Sequence, residues 1–95
     1  MEIWIRDEEI INRIMQRISE LDEEITLKYS NSNLSMDFYK IIDGENILTH
    51  DFIIEFCILT NTNYKYILLG QTPIYDVDNN NYLYKRLIAN KDFSI

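Results

Sequence analysis

Few side chains in this chain stand in a pattern that could do chemistry, and each pattern stops short of a site. His50 is the single histidine and Cys57 the single thiol. A catalytic nucleophile needs a base within hydrogen-bond reach. With Cys57 on an apolar helix face and His50 at a helix start, no such pair is evident. Asp76, Asp78 and Asn80 open like a calcium loop, whose alternate positions supply oxygen ligands. The sixth position, however, is Asn81 where the sharp turn needs glycine, and the twelfth is Leu87 where a bidentate glutamate should close the shell. With only Gly44 and Gly70 in the chain, no glycine-rich phosphate loop is possible. The residues thus call for no catalytic group, no metal and no cofactor, and the chain reads as a binding protein and not an enzyme.

What remains is surface chemistry. Lys28, Lys40 and Lys65 can each neutralise a phosphate, or simply form a solvated face. Tyr29, Tyr39, Tyr64 and Tyr66 can hydrogen-bond phosphate or line an interface, with core packing the better reading for Tyr66. Against a nucleic-acid partner stands the charge. Sixteen acids and 9 bases give −7, a field that repels DNA and anionic membrane at long range. The acidity is concentrated at the front: residues 1–24 hold 8 acids and 3 bases, residues 25–70 hold 5 and 3, and residues 71–95 hold 3 and 3.

The elements that must position these groups are short. A chain of 95 residues, 46% apolar, makes one compact domain with one core. Met1–Arg6 alternates as a short strand or an extended arm does. Asp7 offers an N-cap, and Ile10, Ile14, Ile18, Leu21 and Ile25 follow at helical spacing, with Glu9 one turn before Arg13 for an ion pair. A short helix should end near Asn31. Ser35 is a candidate cap for the next, whose inward face is Phe38, Ile41 and Ile42 and whose end is Asp43-Gly44. Thr49 caps a buried helix over residues 50–60 carrying Phe52, Ile53, Phe56 and Leu59. Asn63 caps a last short one that Gly70 closes. Residues 71–95 form an extension in which 82–90 is open: Tyr82, Tyr84, Arg86 and Ile88 share a strand face, whereas Leu83, Leu87 and Ile88 share a helix face. The domain is expected to span 1–70, with 71–95 as a candidate dimerisation element.

No apolar run approaches the roughly 20 residues of a membrane span, and Glu2, Asp7, Glu8 and Glu9 stand where a secretory signal would be basic and then apolar. A single cysteine forms no internal disulfide. The expected setting is a reducing cytoplasm. One alanine, one proline and two glycines amid abundant Ile, Asn, Tyr and Lys indicate an A·T-rich gene, as in a low-GC bacterium or its phage.

Five short helices with a polar turn before the third resemble the helix-turn-helix domain of phage repressors. The stretch from Met36 to Tyr75 is similar to the C-terminal half of the XRE family, the λ-repressor-like helix-turn-helix proteins of phages and prophages. The carrying residues are Lys40, Ile41, Ile42, Asp43 and Gly44 as the close of the recognition helix, then Asp51-Phe52 opening the next, Asn61–Asn63 as its break, and Tyr66, Leu68, Leu69 and Gly70 before Pro73. The resemblance implies an all-α, five-helix fold and a third helix laid in the major groove of double-stranded DNA by a dimer. It places Lys28, Ser35, Met36, Asp37, Tyr39 and Lys40 at the DNA. Aligned back from Gly44, Leu27 takes the place of the family's leucine in the second helix, Lys28 that of its alanine and Ser32 that of its turn glycine, so the second helix reads as shortened or degraded.

Two functions are compatible with this sequence. One is a phage or prophage DNA-binding transcriptional regulator, with residues 71–95 joining a homodimer. The other is the same scaffold turned to a basic protein partner through helix 1 and the acidic cluster of Glu20, Asp22, Glu23 and Glu24, as in an antirepressor or an inhibitor of a host defence nuclease. The fold alone does not choose between them.

Overall fold

A computed structural model describes residues 7–89. The strand or arm expected over Met1–Arg6 lies outside them, as does the end of the chain from Asn90. The described residues form six helices: α1 Asp7–Glu20, α2 Glu23–Ser30, α3 Asn33–Ile42, α4 His50–Thr60, α5 Tyr64–Leu69 and α6 Asn80–Ala89. No strand occurs among them, and Thr62 and Tyr75 form an isolated antiparallel bridge. The open choice over residues 82–90 is thereby resolved as a helix as far as the described residues reach, to Ala89.

Capping chemistry explains most boundaries, including those where the sequence pattern misleads. The apolar stripe of α1 does not run on to Ile25. Asp22 sits in extended backbone and its carboxylate accepts from the Ile25 amide at 2.9 Å, which starts a new helix instead. Helix α3 is entered from Ser32, not from Ser35. Ser35 stands in its first turn and donates back to the carbonyls of Ser32 and Ser30. Thr49 caps α4 through the Phe52 amide, and Asn63 caps α5 through the Lys65 amide. Asn61 and Gly70 close α4 and α5 in left-handed backbone.

Helix α4 is the centre of the packing, with α2, α3, α5 and α6 around it and α1 laid against α5. Ile10 and Ile14 of α1 meet Ile53, Phe56, Cys57, Tyr64 and Ile67 in one core. Phe38, Phe52 and Phe56 stack in a row at centroid distances of 6.0 and 6.5 Å, and Tyr29 meets Phe56 edge-on at 5.8 Å. Three expectations about facing are corrected here. Ile42 is exposed, because Phe38 and Ile41 already set the inward face of α3. Leu27 does not take the buried place of the family's leucine. Tyr29 is the buried residue of α2, Ile25 is half-buried, and Leu27 is turned out. On α6 the side packed on the core is Asn81, Tyr84 and Ile88, while Leu83 is exposed.

A buried polar junction ties the ends of four helices together. The Arg17 side chain, 3% exposed, donates from Nε to the Thr62 hydroxyl at 3.0 Å and from its terminal nitrogens to the Thr60 carbonyl and Glu20 carboxylate, with the Tyr75 ring 5.0 Å away. The Thr62 carbonyl accepts from Asn81 Nδ2 at 2.7 Å, and Asn81 Oδ1 accepts from the Tyr64 amide. Arg13 is not paired with Glu9. Its guanidinium donates instead to the carbonyls of Ile67 and Leu68 at the end of α5, where orphan carbonyls and the negative end of the helix dipole favour a cation.

Candidate functional site

The six residues expected at DNA all lie on α2 and α3, and local sequence explains why these helices present what they do. Asp22, Glu23 and Glu24 open α2, all exposed, where carboxylates suit the helix dipole. Tyr29 plugs the other end into the core, and burial pushes its hydroxyl pKa up to about 12, so it stays protonated and faces no solvent. Asn31 and Ser32 make a two-residue turn, and α3 follows with Phe38 and Ile41 inward. The outer side of the pair is then left to Leu27, Met36 and Tyr39, which are 63%, 62% and 72% exposed. All three are large apolar or aromatic side chains.

Of the six residues expected at DNA, Met36, Tyr39 and Lys40 project together from α3. Lys28 is exposed on α2 and lies 3.8 Å from Glu24 one turn before it. The hydroxyl of Ser35 is spent on its own backbone. Asp37, half-buried, borders a different surface: an open depression of about 480 Å³ between α3 and the loop after it, floored by Ile41 and Phe52 and rimmed by Glu45 and Ile47. Among the wider candidates, Lys65 is exposed beside the Tyr84 ring, whereas Tyr29 and Tyr64 are buried and cannot reach phosphate or a partner.

The chemical patterns of the sequence resolve into structural roles. His50 is buried and its Nδ1 hydrogen-bonds the Tyr64 hydroxyl; burial lowers its pKa from the ordinary 6.5. Cys57 is fully buried, and burial raises its thiol pKa far above the usual range. Asp76, the first residue of the calcium-like run, is buried and accepts from the amides of Asn80 and Asn81, so it caps α6. Among the described residues no group of three or more His, Cys, Asp and Glu is placed to hold a metal. No helix among them is long and apolar enough to cross a membrane.

The depression beside α3 was not legible from the sequence. Asp37 reads there as part of the recognition helix, and only the turn at Gly44 brings Glu45 to the same opening. No family model, curated protein or solved structure matches the chain.

Proposed function

We propose that the chain is a λ-repressor-like helix-turn-helix module, with α2 and α3 as the paired helices, that recognises a basic protein partner in the cytoplasm and acts by binding alone. The observation that carries this reading is the start of α2. A helix N-terminus laid on DNA offers its free amides to a phosphate. Here Asp22 already occupies that place, and Glu23 and Glu24 flank it. A phosphate would meet three carboxylates. Exposed Met36 and Tyr39, one turn apart on α3, fit the same reading, since aromatic residues and methionine are enriched in protein interfaces. A net charge of −7 steers such a module toward basic surfaces, which are what repressors and nucleases present to DNA. An antirepressor or a nuclease inhibitor is the corresponding class. The test is affinity capture from host lysate with the wild type and Tyr39→Asp in parallel, beside a gel-retardation assay at low salt. The expected result is a basic protein held by the first and lost from the second, with no retardation of DNA.

One observation favours a second reading, the DNA-binding phage or prophage regulator. Lys40 is exposed on α3 beside Tyr39 and Met36 and is in no ion pair among the described residues. A regulator of this kind requires a homodimer to read paired half-sites. Retardation of the upstream DNA of its own gene that disappears in Lys40→Glu would establish this reading and overturn the first.

A further inference from the structure

We infer that the depression beside α3 receives the cationic end of an arginine or lysine side chain from the protein partner, an inference that rests on the protein-binding reading above. Its floor is apolar, made by Ile41 and Phe52, and suits the aliphatic stem that long basic residues lay on such surfaces while keeping their heads polar. Two acidic residues and no basic one line the same opening, Asp37 from α3 and Glu45 from the loop. Neither belongs to an ion pair among the described residues, where the pairs are Arg17–Glu20, Lys28–Glu24 and Lys85–Glu55. Asp37 is half-buried beside the apolar floor, where a partner cation can reach it for a charge-assisted hydrogen bond. An anionic ligand is repelled by the same pair.

The opening is also held in shape before any partner arrives. Gly44 takes φ +79°, a left-handed conformation suited to glycine, and its amide donates to the Ile41 carbonyl. The amides of Glu45 and Asn46 both donate to the Lys40 carbonyl, at 2.8 and 3.1 Å. The rim that carries Glu45 is therefore fixed to the end of α3, which reduces the ordering cost of binding. Exposed Ile47 offers an apolar shelf for the partner residue beside the cation.

The probe is N-acetyl-arginine amide, titrated into the ¹⁵N-labelled full chain, with the citrulline analogue as a control of the same shape and no charge. Saturable shifts at Asp37, Ile41, Glu45 and Phe52 are expected with arginine and none with citrulline. Asp37→Asn with Glu45→Gln should weaken binding about tenfold or more, the effect of losing charge-assisted hydrogen bonds. Glu45 is exposed, so the single Glu45→Gln variant keeps the fold and should weaken binding by a smaller factor. Equal shifts with citrulline, shifts centred on Asp22, Glu23 and Glu24, or affinity unchanged in the double variant would each overturn the inference. The two readings fail separately. Partner capture that survives the double variant but not Tyr39→Asp removes the pocket and leaves protein binding, whereas Lys40-dependent DNA retardation removes the protein-binding reading whatever the arginine titration shows.

Discussion

Arg17 and His50 carry the chemistry of the interior, and each makes a measurable demand. Arg17 holds Thr62, Thr60 and Glu20 from a position 3% exposed. Arg17→Met keeps the stem and removes the donors, and should cost about 2 to 3 kcal/mol, the range for hydrogen bonds from a charged group. Urea denaturation reads this as a lower midpoint with an unchanged slope. His50 makes a pH-dependent demand. Its folded pKa lies below 6.5, so as pH falls through 6.5 the unfolded chain takes up a proton that the folded chain refuses, and stability declines until the folded pKa is reached. Above 6.5 the group contributes no slope. Subtracting the stability–pH curve of His50→Gln from that of the wild type should isolate a loss of at most about 1.4 kcal/mol per pH unit on the acid side of neutrality. A difference curve that is flat from pH 7 downward would contradict this assignment.

The helices show what a sequence can and cannot disclose about itself. Thr49, Asn63, Asn61 and Gly70 mark their helix ends locally, with a cap or a left-handed residue, and these boundaries were legible. Phe52, Ile53 and Phe56 were equally legible as core, because large apolar residues at helical spacing have one sensible place. Errors arose where two local signals compete. Leu21 and Ile25 continue the period of α1, yet Asp22 between them is a stronger cap than the period is a helix. Counting back from Gly44 matches Leu27 to the family's leucine, but a count says nothing of which way a side chain faces, and Tyr29 is the residue of α2 that reaches the core. The carbonyls that Arg13 holds, the Thr62 hydroxyl that Arg17 holds and the Tyr64 amide that Asn81 accepts from lie 17 to 55 positions away, and no local pattern announces them. The same applies to α6, whose start rests on Asp76. Asp76→Ala removes an acceptor for two amides and should cost about 1 to 2 kcal/mol. Because α6 packs on α4, the loss should appear in the global melt and not as fraying of the tail alone. Deleting residues 80–95 should lower stability further, as it also uncovers Tyr64.

At the scale of the whole molecule, Cys57 is a reporter. Fully buried on the central helix, with its pKa raised by burial, the thiol is protonated and out of reach in the folded chain. Its reaction with an aromatic disulfide reagent should therefore proceed only through opening of the core, at a rate that rises in step with every destabilising substitution above. Fast labelling of the native protein would show that α4 opens locally. The two arginines of α1 have a different consequence for the exterior. Arg13 and Arg17 direct their guanidinium groups to carbonyls of α5 and to Thr60 and Thr62, so these cations serve the inside of the molecule. Arg17 is not the only charge withdrawn, for Asp76 is buried as well, and the two interior charges offset each other. On an anion-exchange resin Arg17→Gln should elute later and Asp76→Asn earlier than the wild type, since a buried charge still contributes to the field that a partner encounters first.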